Sequence, residues 1–160
     1  VMKDTYYELN DRAARSGYVD LVDVEAFREE ARTSEEIRKL QSADVHVIAS
    51  FHNFDRTPDR EELIRRLTRM QEMGADVAKI AVLPQSREDV IPLMEATMEA
   101  DHSLDIPVVT MSMGRLGVLS RLAGTLTGSA MTFASVGEAS APGQIPIEQM
   151  RVFCQLLSMK

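Results

Sequence analysis

The 160-residue chain has no tryptophan, a single cysteine and only four lysines. Cys154, alone, can form neither an internal disulfide nor a cysteine-based zinc site. A reducing cytoplasm is therefore the expected compartment. No apolar run approaches the roughly 18 residues of a membrane span, and the opening Val1-Met2-Lys3-Asp4 lacks the apolar stretch of a secretory signal, so no membrane association is expected. Basic residues are in deficit, 18 against 25 acidic, for a net charge of −7. Phosphate binding needs the opposite balance, which argues against a nucleic-acid partner. The glycines at 114, 117, 124 and 128 match neither a Walker loop nor a dinucleotide fingerprint. Nothing reads as a linker or an internal repeat, so residues 1–160 are expected to form one domain.

What the chain does contain is an alternation of short apolar runs with longer amphipathic ones. The runs Tyr18–Val24, Val45–Phe51, Val77–Leu83, Ile106–Met113 and Ala130–Val136 are rich in Val and Ile and lack strict polar alternation, as in parallel strands covered on both faces. Between them lie helix signals: capping-box spacing at Thr33/Glu36 and Ser86/Asp89, Thr57-Pro58 ahead of an acidic first turn, and Gly74 as a stop. Apolar stripes run through Leu63, Leu67 and Met70, through Leu116, Leu119, Ala123 and Leu126, and through Ile147, Met150, Cys154 and Leu157. A helix over about 4–16 precedes the first strand. The class is α/β with about five parallel strands. Periodicity leaves two architectures open, a doubly wound sheet or part of a (β/α)8 barrel.

Lys79 stands inside the apolar run Val77–Leu83. Lysine is seldom buried without a partner or a task. Desolvation there favours the neutral amine, able to attack a carbonyl; the alternative is an ion-paired or snorkelling strand lysine. His52 closes the preceding run, at the carboxyl end of a strand, where ligands bind in parallel α/β folds. An acid/base group beside a nucleophile is a working unit, although a lone strand-end histidine is equally compatible with a structural role. His46 and His102 read as structural or solvated. Asp23 and Glu25, two residues apart, share one strand face and either line a site or pair with arginine. Met111 and Met113 suit a pocket wall or core packing. Arg121 suits a carboxylate clamp or a surface ion pair. The segment Ala139–Gln144, with Ser140, Gly143 and Gln144, suits a lid or an ordinary loop.

In order, Ser50-Phe51-His52-Asn53-Phe54, Thr57-Pro58, Lys79-Ile80-Ala81, Thr110-Met111-Ser112-Met113, Ser120-Arg121-Leu122-Ala123-Gly124 and Ala139-Ser140-Ala141-Pro142-Gly143-Gln144 resemble type I 3-dehydroquinate dehydratases, Schiff-base lyases of the shikimate pathway. The resemblance covers all 160 residues. It implies a (β/α)8 TIM barrel of which this chain supplies the last five strands, the first strands being absent. It implies that Lys79 forms the imine and His52 is the general acid/base. It further implies that Arg121, Ser140 and Gln144 bind substrate and that Met111, Met113 and Phe133 line the pocket. The implied substrate is 3-dehydroquinate, with no metal or organic cofactor. A homodimer, or association with the missing barrel half, is the implied assembly. Phe51 departs from the polar residue or tyrosine usual before the histidine, and Ala26 from a larger aliphatic. The acidic residue and arginines that the family's second and third strands supply have no counterpart here. Two other readings stay open: another class I Schiff-base lyase of aldolase type, and an inert barrel fragment.

Overall fold

The computed structural model describes residues 3–158. Along them run α1 (Lys3–Ala14), β1 (Leu21–Glu25), α2 (Glu30–Gln41), β2 (His46–Asn53), α3 (Arg60–Glu72), β3 (Val77–Val82), α4 (Val90–Ser103), β4 (Val108–Ser112), α5 (Val118–Leu122), α6 (Gly124–Thr127) and α7 (Ile147–Ser158). The four strands form one sheet in the order β1-β2-β3-β4, every pair parallel.

That order answers the question periodicity left open. A doubly wound sheet reverses its strand order at a switch point and carries helices on both faces. Here the order is sequential and the main helices share one face. Val24, Val47, Ala49, Ile80 and Val82 pack there against Ile37 and Leu40 of α2, Leu63, Leu67 and Met70 of α3, and Leu93 of α4. The opposite face has its own small apolar cluster of Ile48, Val77, Ala81, Val109, Met111 and Met113, with no helical residue in it. Helices outside and side chains meeting inside is the arrangement of a barrel wall. The side chains that alternate onto this inner face are also those of Asp23, Glu25, Ser50, His52 and Lys79.

The five-strand expectation needs correction: among the described residues the sheet has four strands. The run Ala130–Val136 begins beside β4, where the Ala130 amide donates to the Val108 carbonyl at 2.8 Å, but no ladder follows. The Thr110 amide is taken by the Ser129 hydroxyl at 3.1 Å instead of a backbone carbonyl. On its other side the run makes a single bridge, Ser135 to Pro146, and Val136 is 81 % exposed. With the Ser129 hydroxyl occupying the first ladder position on β4, the run stays outside the sheet.

Two apolar stripes also face differently from expectation. Leu116, Leu119 and Leu126 are exposed, and the inward residues of α5 and α6 are Ser120, Arg121 and Thr127. On α7, Met150 is buried whereas Cys154 and Leu157 are exposed. The expected single helix is broken into the short α5 and α6, and α5 sits over the carboxyl end of β4, where inward positions serve the site and not the core. Helix starts moved as well. The carboxylate of Asp59 caps α3, accepting from the Glu62 amide at 2.8 Å, and Thr33 lies within α2 with its hydroxyl on the Glu29 carbonyl. The Ser86/Asp89 signal holds, with the Asp89 carboxylate accepting from the Ser86 amide at 3.0 Å ahead of α4. Gly74 follows α3 at φ 90, the left-handed stop that glycine permits.

Candidate active site

Parallel pairing determines which residues meet. Ser50 on β2 pairs in register with Glu25 on β1 and with Lys79 on β3, and Lys79 with Val109 on β4. Period-two alternation then carries His52, Ala81 and Met111 one step further toward the carboxyl end on the same face. There, a cavity of about 260 Å³ is lined by His52, Lys79, Met111, Met113, Arg121, Phe133, Ser140 and Gln144, together with Phe54, Ala81, Ala141 and Pro142. The eight residues to which the family resemblance gives a role are thus gathered in one place, although they come from three strands, a short helix and two loops.

Lys79 is neither lone nor outward-facing. Its residue is 8 % exposed, and Nζ donates to Oδ2 of Asp23 at 2.6 Å. The other carboxylate oxygen, Oδ1, accepts from the fully buried Ser50 hydroxyl at 2.5 Å. The same Nζ lies 5.1 Å from the centre of the Phe133 ring, where a cation gains from the π face. An isolated dry amine is therefore not what the fold builds. The Lys79 amine is aimed by a carboxylate that is itself held by a hydroxyl. His52 presents Nδ1 to Oε1 of Glu25, and its ring is stacked with that of Phe54, 9° from parallel with centroids 6.1 Å apart. Phe51, the residue that departs from the usual pattern, points to the helical face, where it meets Phe27 edge-on at 5.8 Å and lies under the Arg66 guanidinium. The departure thus alters outer packing and leaves the cavity untouched.

Arg121 is the electrostatic anomaly. It is 3 % exposed, and burial pulls its guanidinium below the ordinary pKa. Nη2 donates to the Pro142 carbonyl at 3.2 Å, Nη1 approaches the Met111 sulfur at 3.6 Å, and Nε has no partner. Among the described residues no carboxylate pairs with it. A buried fork of donors without a counter-anion is a prepared seat for one.

The segment at 139–144 closes the cavity. The amide and hydroxyl of Ser140 both donate to Gln144 Oε1, at 2.8 and 3.2 Å, and Gln144 Nε2 donates to the Ser140 hydroxyl at 3.0 Å. The loop is moored where the Gly114 amide donates to the Pro142 carbonyl at 3.1 Å, and Gly143 takes φ 77. Ser50, Phe54 and the pairing roles of Asp23 and Glu25 escaped sequence reasoning. The signal for Ser50 was present: it stands two residues before His52 on one strand, hence on the same face. The described residues hold no cluster of three or more metal-ligating side chains.

A model of the type I 3-dehydroquinase family matches residues 1–160. The chain is similar to the 3-dehydroquinate dehydratase of Listeria welshimeri serovar 6b, 50 % identical over 157 residues that cover 98 % of this chain and 62 % of that one. It is 48 % identical over 159 residues to the Klebsiella pneumoniae strain 342 enzyme of the same description, covering 99 % and 63 %. Among solved structures it resembles 3-dehydroquinate dehydratase from Geobacillus kaustophilus HTA426, with a TM-score of 0.94 and 43 % identity over 98 % of this chain and 61 % of that one. It equally resembles the type I enzyme from Clostridium difficile crystallised with covalently modified comenic acid, with a TM-score of 0.93 and 44 % identity over 98 % and 62 %. The chain thus spans about three fifths of the length of the relatives it matches.

Proposed function

The chain belongs to the type I 3-dehydroquinase family, and we propose that it carries the catalytic face of a lyase that converts 3-dehydroquinate to 3-dehydroshikimate and water. The observation that carries this reading is the buried, carboxylate-free Arg121 opening into the same cavity as Lys79 and His52. A keto acid satisfies both ends of such a site, its carboxylate on the guanidinium and its ketone at the amine. That a relative was crystallised with covalently modified comenic acid supports covalent chemistry in this family.

The amine of Lys79 adds to the C3 ketone, and loss of water gives an iminium. The cation withdraws electrons from C2, acidifying its proton enough for His52 to remove it near neutral pH. The enamine then expels the C1 hydroxyl, which takes its proton from His52 and departs as water. Hydrolysis of the iminium releases the product and restores the amine. Arg121 holds the carboxylate, Ser140 and Gln144 exchange their mutual hydrogen bonds for ring hydroxyls, and Met111, Met113 and Phe133 wall off water. Holding the reactants in this way supplies several kcal/mol of the barrier. The chemistry draws on no metal or organic cofactor.

The partner side of the proposal rests on surface. One edge of β1 is open among the described residues, and Leu116, Leu119 and Leu126 lie exposed with Phe153, Leu156 and Leu157 of α7. A second copy, or the remaining barrel strands, covers such edges. No helix among the described residues is long and apolar enough to cross a membrane, and a cytoplasmic setting suits the exposed Cys154 thiol.

Borohydride reduction with 3-dehydroquinate present should fix one substrate-derived adduct on Lys79, with enone absorbance appearing in the unreduced sample. An adduct on another residue, or none, overturns the assignment.

A further inference from the structure

Arg121 stands between two cavities and is the one residue that lines both. The first is the cavity of Lys79 and His52. The second, also of about 260 Å³, is bounded by α5, α6, the segment 129–132 and α7. Leu122, Met131 and Leu157 give it apolar walls, and the exposed Cys154 belongs to its lining. Two polar groups of that lining are buried without a hydrogen-bond partner, Nε of Arg121 and the Thr132 hydroxyl, and the reaction described above uses neither. We propose that the second cavity binds a small carboxylic acid with an apolar body, of benzoate size, and that this acid and the substrate antagonise each other through Arg121.

The donors of the guanidinium divide between the two cavities. Nη2 donates to the Pro142 carbonyl and Nη1 approaches the Met111 sulfur, and both of those residues line the first cavity. Nε is the donor left for the second. A monocarboxylate there accepts from Nε and from the Thr132 hydroxyl while its hydrocarbon body lies against Leu122, Met131 and Leu157. A purely apolar occupant would leave both donors unsatisfied. A second charge on the ligand would be set against the apolar walls and desolvated there. One guanidinium carries one positive charge, so an anion at either edge reduces what an anion at the other gains, and the two anions repel. Such coupling is reciprocal and amounts to about five- to 150-fold in affinity. The antagonism rests on the dehydratase reading, which puts the substrate carboxylate on Arg121; occupancy of the second cavity does not.

Cys154 is the only cysteine of the chain, so an acid can be tethered at this cavity selectively. Its thiolate attacks dithiobis(nitrobenzoate), forming a mixed disulfide that carries an aryl carboxylate and releasing one equivalent of nitrothiobenzoate. Methyl methanethiosulfonate supplies the neutral control, leaving a methylthio group and releasing methanesulfinate. In ¹⁵N-arginine-labelled protein the Nε resonance of Arg121, assigned by its loss in Arg121→Lys, should shift with the aryl carboxylate and not with the methylthio group. The KM for 3-dehydroquinate should rise about five- to 150-fold in the aryl adduct alone, and dithiothreitol should reverse both changes. An unmoved Nε, an unchanged KM, or equal effects of the two caps each overturns the proposal. A second measurement, independent of the thiol, titrates benzoate calorimetrically into the native protein and into Leu157→Trp, whose indole fills the second cavity. Binding to the native protein that is lost in the variant is the expected result. No binding to the native protein, or equal binding to both, overturns the proposal. If Nε shifts and benzoate binds as expected in a protein that does not turn over 3-dehydroquinate, the dehydratase reading falls and the second acid site stands.

Discussion

Replacing Arg121 with methionine should make the empty protein more stable and its ligand-binding worse. Methionine keeps the length and apolar stem of the side chain and removes the charge. The guanidinium is 3 % exposed with no carboxylate partner, one sound hydrogen bond to the Pro142 carbonyl, one long approach to sulfur, and an orphaned Nε. Because arginine stays charged at any ordinary pH, the desolvation cost is present throughout. Exchanging buried ionic groups for apolar ones of similar volume gains about 1–4 kcal/mol. Loss of the Pro142 hydrogen bond returns about 1 kcal/mol of that. The net is a gain of about 0–3 kcal/mol, a rise of up to roughly 12 °C in midpoint for a domain of this size. Binding moves the other way. Deleting one member of a buried, hydrogen-bonded charge pair costs about 2–5 kcal/mol, or roughly 30- to several-thousand-fold in affinity for the substrate carboxylate. Thermal melts with and without 3-dehydroquinate, alongside calorimetric titration, measure both effects. A ligand-free variant less stable than the parent by about 1 kcal/mol or more, or unchanged affinity, would refute the claim that Arg121 is buried to receive an anion.

Two further expectations follow from the geometry. Gly143→Ala would place a Cβ 2.5 Å from the Gly114 carbonyl oxygen at φ +77, costing about 1–2 kcal/mol for the left-handed backbone plus the displacement of the mooring. Hydrogen exchange should quicken at 139–145 with the sheet still protected, and KM should rise at least about tenfold as Ser140 and Gln144 leave the cavity; an unaltered KM would show that the loop does not close the site. Glu36 is buried with an unpaired Oε1, and desolvation raises its carboxyl above the ordinary value. The folded chain then binds the proton more tightly than the unfolded one, so Glu36 costs nothing in acid and an increasing amount as pH rises through the carboxyl range. Glu36→Gln should therefore stabilise the protein at pH 7 and lose that advantage below the ordinary carboxyl pKa; equal gains at both ends would contradict the cause assigned.

Much of the site was legible because chemistry disobeys pattern there. A lysine in the middle of Val77–Leu83 and a histidine closing Ile48–Phe51 break the apolar grammar of their strands, and such breaks are visible in one dimension. Arg121 reads from sequence as either a carboxylate clamp or a surface ion pair, and only its resemblance to a family motif favours the first. Its helix reads as an ordinary amphipathic turn, and nothing in the spacing reveals that the leucines face outward while the arginine faces in. Pairing was out of reach altogether. Asp23 and Glu25 could be placed on one face, but which would meet Lys79 and which His52 depends on the register between β1, β2 and β3.

The amino-acid order alone determined the α/β class, four of the strands, the principal helices and the residue types able to do the chemistry, since these follow from periods of 2 and 3.6 and from the reactivity of single side chains. Tertiary structure decided the sequential strand order, the failure of the run at 130–136 to join the sheet, and the assignment of one carboxylate to each reactive group. Those outcomes depend on contacts between residues far apart in the chain, such as Asp23 with Lys79, and no local propensity encodes a distance of that kind.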